Sequence, residues 1–300
     1  MDRALAAVAR LAVGLGLPAD DLRVESDRGN LLVHLAPAPV LARVATLTAW
    51  TRRDPGAWLA REVRVAAHAA ARGGPVVAPA PHPGPHDVDG FVISLWEHRD
   101  VRPGRPTAFD TGVHLAELHR TLDGVDGLPW LAPATTQVTD ALDAIEAVGA
   151  RPAAEIAALR ERHHAVLLDL RGSDPIVLHG DAHPGNLRRD AGGWFWVDLE
   201  ETCVGPPEWD LAVAAGDGDV AGVLAGYAHA GGGTVDPAAL EPFAAARAVE
   251  AAAWLAAMAH LRPAAYAEAA RERIDRVLSA PGRPAGARSS PPGPSRGSCS

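Results

Sequence analysis

Hydrophobic and polar positions follow two rhythms along this chain, and the change between them divides it. Residues 2–16 place Leu5, Val8, Leu11 and Val13 at helical spacing and predict an amphipathic helix. Three short runs follow, at 21–26, 30–35 and 40–45, with Asp27-Arg28-Gly29-Asn30 and Pro37-Ala38-Pro39 between them. Short strands joined in order by turns predict an antiparallel sheet. Asp54-Pro55 reads as a helix cap with proline at the first helical position. That helix runs to about Arg72, with Leu59, Val63, Ala66 and Ala70 on its apolar stripe and Glu62 at the border. Residues 73–90, rich in proline, glycine and histidine, predict a loop. An apolar strand follows at 91–95 and ends where Trp96-Glu97-His98-Arg99 breaks the pattern.

Beyond Pro106 the rhythm is helical. Leu115, Leu118, His119 and Leu122 form one stripe, and His119 is read as a core residue. Further helices are predicted at about 138–149, 152–170, 217–230, 236–260 and 263–278, with another starting at Glu208. In the long one, Leu240, Ala244, Ala248, Ala251, Leu255 and Met258 are the expected buried face. Two apolar strands, at 176–178 and 194–197, interrupt the helices. Between them runs His179-Gly180-Asp181-Ala182-His183-Pro184-Gly185-Asn186, where proline and glycines exclude a continuous helix. A polar loop is expected over 200–207.

The chemistry concentrates in that interruption. Asp181 and Asn186 are five residues apart, and Asp198 ends the second strand twelve residues further on. Moving a phosphoryl group from ATP needs a base for the acceptor hydroxyl and oxygen ligands for magnesium. One Asp, an Asn five later and a second Asp after a short hairpin is the order in which kinases supply those groups. Two other readings stay open. His179, Asp181 and His183 could form a zinc cluster, although no third or fourth ligand stands at clear spacing. A polar turn between two core strands is the bland alternative.

The His-Gly-Asp-x-x-x-x-Asn run, Asp198-Leu199-Glu200 and Pro207-Glu208-Trp209-Asp210-Leu211-Ala212 together resemble the aminoglycoside phosphotransferase family of small-molecule kinases. The resemblance implies an α+β, two-lobed protein-kinase-like fold. A small antiparallel-sheet lobe would span about 1–97, and a mostly helical lobe about 98–280. Asp181 would be the catalytic base, and Asn186 and Asp198 would hold Mg2+. Arg43, on the strand face opposite Ala42 and Val44, would grip the phosphates of ATP, or of GTP, with Glu62 as its partner. The Asp27–Asn30 turn would fold over those phosphates. Trp96, Glu97 and His98 would form the hinge whose backbone meets the purine. Asp210 would hold the catalytic loop in shape. His179 would be structural, and Glu200 a supporting or acceptor-facing carboxylate.

Composition narrows this picture a little. The chain has 300 residues and a formal net charge of −9, which argues against nucleic acid and permits a cationic substrate. Cys203 and Cys299 offer no disulfide framework. Every alanine-rich stretch is interrupted by charge or proline, so no membrane partner is expected. The N-terminal stretch lacks the features of a signal peptide, and a cytoplasmic setting is expected. Residues 281–300 hold five prolines, four glycines and five serines and are expected to be a disordered tail. The expected partner is a small hydroxylated molecule. A silent nucleotide-binding protein or a metal-dependent hydrolase are the alternatives, and loosely held magnesium against tightly bound zinc separates the last.

Overall fold

Two turns fold the N-terminal strands onto one another. In the computed structural model, which describes residues 1–52 and 54–280, helix α1 (Asp2–Gly14) precedes strands β1 (Ala19–Asp27), β2 (Leu31–Pro37) and β3 (Val40–Val44). Helix α2 (Pro55–Ala71), then β4 (His86–Val88) and β5 (Phe91–Glu97), follow. These strands form one antiparallel sheet in the order β1-β2-β3-β5-β4. The period of two sorts its side chains. Leu31, Val33, Leu35, Ala42 and Val44 turn to one face and pack with Ala4, Ala7, Val8 and Leu11 of α1. Leu41, Arg43 and Trp96 alternate with them, and Leu41 and Trp96 pack into a second core built mainly from helices.

Helices α3 (Ala108–Leu122), α4 (Thr136–Ala147) and α5 (Ala153–Asp169) begin that second core. A region of short strands follows: β6 (Ile176–Leu178), β7 (Leu187–Arg189), β8 (Trp194–Trp196) and β9 (Cys203–Gly205). The pairs are β6 with β9 and β7 with β8, both antiparallel. Helices α6 (Glu208–Ala215), α7 (Val220–His229), α8 (Glu241–Leu261) and α9 (Pro263–Ser279) complete the chain described. Trp196, Trp209 and Phe243 are among its largest fully buried side chains. No helix among the described residues is long and apolar enough to cross a membrane. The expected tail, with Cys299, lies outside the described residues.

Several sequence expectations need correction. Val13 is 80% exposed, and the buried face of α1 runs through Ala4, Ala7, Val8, Leu11 and Ala12. Alanine counts as apolar surface here, which shifts the stripe. Residues 86–88, expected in a loop, edge the sheet as β4. The polar loop expected at 200–207 contains β9, whose Cys203 is buried against the β6 pairing. On α8 the buried positions include Phe243, Ala246, Val249, Ala253 and Ala257, not the predicted Ala244, Ala248 and Leu255. A helix apolar on almost every side carries no stripe to phase.

Candidate active site

Gly180 makes the central loop possible. Its φ is +89°, and a Cβ there would lie 2.1 Å from the Glu201 carbonyl oxygen. Only glycine allows that approach and that conformation at little cost. The loop is then pinned from behind. Asp210, fully buried in the first turn of α6, accepts the backbone N–H groups of His179 (2.7 Å) and Gly180 (2.9 Å). His119 Nε2 lies 3.0 Å from the same carboxylate, so His119 is a structural residue as expected. The His179 ring is engaged on both nitrogens. Nδ1 accepts from the Asp181 amide, and Nε2 donates to the Val197 carbonyl oxygen at 3.1 Å. A ring so used has no nitrogen left for a metal shared with Asp181 and His183, which argues against the zinc reading.

In front of that support stand the candidate reactive groups. Asn186 Nδ2 donates to the Asp181 carbonyl (2.9 Å) and to Asp181 Oδ2 (3.2 Å), which turns its amide oxygen the other way. Val197 donates to the Asn186 carbonyl, tying the metal-ligand candidates Asn186 and Asp198 to one hairpin. Asp198 itself sits at φ +67°, a left-handed conformation that a non-glycine residue keeps only under constraint. A carboxylate and an amide oxygen are hard donors that suit magnesium. Burial works to raise the Asp181 carboxyl, but Arg247 and His183 override it and hold the group below its ordinary range.

Arg43 faces the same space from β3. Its Nη1 donates to Glu62 Oε1 at 2.7 Å, so the predicted strand-to-helix pair forms. Its Nη2 meets Asp198 Oδ1 and Glu200 Oε2, each at 2.7 Å. Glu200 therefore supports Arg43, the supporting role being one of the two expected for it.

A sequence profile described as the phosphotransferase enzyme family (APH) matches residues 23–243. The chain belongs to that family. No curated protein matches it. Among solved structures, amicoumacin kinase hAmiN with AMP-PNP, Ca2+ and Ami is 13% identical, with a TM-score of 0.67 over 92% of this chain and 95% of that one. A choline/ethanolamine kinase family protein from Mesorhizobium loti is 18% identical, with a TM-score of 0.62 over 94% and 96%. A thermostable aminoglycoside phosphotransferase APH(4)-Ia with ADP and hygromycin B is 12% identical, with a TM-score of 0.56 over 90% and 97%. The fold of this phosphotransferase is thus protein-kinase-like, a small antiparallel sheet joined to a larger helical part.

At the expected hinge, the phosphotransferase keeps two amides occupied. Glu97 N–H donates to the Ala78 carbonyl and His98 N–H to the Pro39 carbonyl, at 3.0 and 2.9 Å. The Trp96 ring is buried, its Nε1 bonded to Ser94 Oγ. The His98 ring stacks on His34 at 3.6 Å and bonds Glu25.

Four functional candidates escaped the sequence reading. Arg52 bridges Glu200 Oε2 (2.6 Å) and Glu201 Oε1 (2.7 Å) and lies over the Trp58 ring. Arg247, on α8, bonds Asp181 Oδ1 and Glu250 Oε2, each at 2.5 Å. Arg262, at the α8–α9 corner, reaches both Asp27 carboxylate oxygens from Nη2 at 2.8 Å, while Tyr266 donates to the Arg28 carbonyl. The turn expected over the phosphates is thus held from the far end of the chain. Glu201 is the fourth, at the edge of a cavity shared with Gln137, Asp140, Glu250 and Trp254. A charged pair inside alanine-rich α8 was the one signal for Arg247, since an Arg and a Glu three apart share a helix face.

Proposed function

We propose that this phosphotransferase moves the γ-phosphate of ATP, or of GTP, to a hydroxyl of a small molecule, with Mg2+ as the metal. The observation that carries the reading is the convergence on one space of the Asp181–Asn186 pair, Asp198, and Arg43 with its Glu62 partner. Asp181 orients the acceptor hydroxyl and takes its proton. The acceptor oxygen bonds to the γ-phosphorus, the bond from that phosphorus to the bridging oxygen breaks, and its electron pair leaves with ADP. Bound magnesium would offset charge on the phosphate oxygens. Asn186 and Asp198 would supply its protein oxygens, Arg43 holds the phosphate tail, and the backbone around Trp96, Glu97 and His98 borders the purine.

The acceptor class that goes with this chemistry is an aminoglycoside-like or other hydroxylated small molecule, and the cavity lined by Gln137, Asp140, Glu201, Glu250 and Trp254, about 20 Å³, has room for a water and not for such a molecule. A cytoplasmic setting goes with a nucleotide co-substrate.

The test is nucleotide consumption with ATP or GTP and magnesium against a panel of hydroxylated acceptors. Acceptor-stimulated turnover is expected, and Asp181→Asn should lose most of kcat while binding nucleotide as before. Near-normal turnover in that variant would remove Asp181 from the role of base.

A further inference from the structure

Beside the base stands a cation that the proposal above leaves without a role. Arg247 donates Nη2 to Asp181 Oδ1 and Nη1 to Glu250 Oε2, each at 2.5 Å. Glu250, one helical turn later on α8, anchors the guanidinium and sets its plane. These two bonds engage two of the five N–H donors that a guanidinium carries. Arg247 and Asp181 both keep an open face, with 27% and 21% of their side chains exposed.

Positive charge is unevenly placed around the reacting centre. Transfer of a phosphoryl group spreads negative charge over its three equatorial oxygens. Arg43 and the metal-ligand candidates Asn186 and Asp198 serve the nucleotide side. On the acceptor side, His183 Nε2 lies 3.6 Å from Asp181 Oδ2. Its Nδ1 accepts from the Gly185 amide. Arg247 is the permanent charge on that side.

Distance favours the same assignment. An acceptor hydroxyl poised for transfer lies about 3 Å from the Asp181 carboxylate, with phosphorus in line beyond it. The equatorial oxygens then fall within reach of a guanidinium already bonded to that carboxylate. Resting on the kinase reading above, we infer that Arg247 is a further catalytic residue that grips the transferring phosphoryl group from the acceptor side. During the step it keeps its protons; the hydroxyl proton goes to Asp181 and the leaving electron pair to ADP.

The alternative is a strut that orients Asp181 and never meets phosphate. A planar phosphoryl mimic separates the two. Binding of Mg·ADP, with and without aluminium fluoride, is measured by calorimetry for wild type and Arg247→Ala. A second variant, Arg247→Gln with Glu250→Gln, replaces the ion pair by a neutral one in case the first does not fold. Aluminium fluoride should tighten Mg·ADP binding by wild type, and each variant should lose at least about tenfold of that tightening while binding Mg·ADP alone within about twofold of wild type. Equal tightening in wild type and variants, or no tightening in wild type, would overturn the role of Arg247 and leave the kinase reading standing. A wild type that binds no magnesium nucleotide at all would overturn both.

Discussion

Arg43 Nη2 lies 2.7 Å from Asp198 Oδ1, so the cation proposed for the phosphates and the carboxylate proposed for the metal are bonded to each other. A divalent ion at Asp198 competes with the guanidinium for that oxygen. Phosphate oxygens can replace the carboxylate on Arg43, while Glu62 still holds Nη1. Arg43→Ala should therefore raise the KM for ATP by about tenfold or more, because a charge-assisted contact is lost. The acceptor KM should stay within about twofold of wild type by the same localisation of contacts. Steady-state kinetics in both substrates reads this directly, and a rise confined to the acceptor KM would move Arg43 out of the phosphate site.

Asp198→Ala removes a carboxylate that binds Arg43 and is the proposed metal ligand. Magnesium-dependent nucleotide binding should weaken by about tenfold or more, since Asn186 alone offers one neutral oxygen. Binding measured without magnesium should change far less, as Arg43 keeps Glu62 and Glu200. Equal binding by wild type and variant in magnesium would take the metal role from Asp198.

Gly180→Ala tests the loop itself. The added methyl would sit 2.1 Å from the Glu201 carbonyl oxygen, and φ +89° is strained for alanine. The loop must shift, and Asp181 shifts with it. The variant should lose turnover by about a hundredfold while nucleotide binding falls much less, since misplacement of a reacting group by about 1 Å costs that much. Full turnover in the purified variant would show that the backbone has room to move.

Asp210→Asn attacks the support behind that loop. Asp210 accepts from two backbone amides and faces His119 Nε2. Asparagine keeps one accepting oxygen and turns an N–H2 group toward another donor. Each buried bond lost costs about 1–3 kcal/mol, so thermal melts should fall by several degrees and turnover should fall with them. A melt and a rate both equal to wild type would show that the loop holds without this carboxylate.

What the sequence disclosed follows the range of each interaction. His179 to Asn186 is one short motif. Asp198 follows a predicted strand, and Asp210 opens a predicted helix, so all three were legible in order. Arg43 and Glu62 were legible as a pair because strand period and helix stripe each set one residue off its apolar neighbours. Arg52 with Glu201, Arg247 with Asp181 and Arg262 with Asp27 are separated by 149, 66 and 235 residues. No periodicity encodes such partners; only the tertiary fold brings them together. Strand β9 was hidden for a local reason, being three residues long between carboxylates and prolines.

Glu200 and Glu201 share one guanidinium, and their proton equilibria should split. Burial raises both carboxyls. Arg43 and Arg52 together overcome it at Glu200, which is drawn down to about 2. Glu201 has Arg52 against burial and the neighbouring Glu200 charge, and it is pushed up to about 8. Below its ordinary value of 4.5, Glu201 is protonated in both the folded and the unfolded chain. Between 4.5 and about 8 the folded chain alone keeps the proton, so stability falls through that window and levels off above it. Glu200 acts with the opposite sign between about 2 and 4.5, where the folded chain alone is ionised and stability rises with pH. Melting temperature should thus be highest near pH 5 and decline toward pH 8. Glu62 and Glu250, raised to about 8 and about 7, add to the same decline. Glu201→Gln removes one titrating carboxyl, so its melting temperature should fall less steeply over this range than that of wild type, by about 3 °C or more. Parallel melting curves for the two proteins from pH 5 to pH 8 would mean that Glu201 stays ionised, and that Arg52 carries both charges at once.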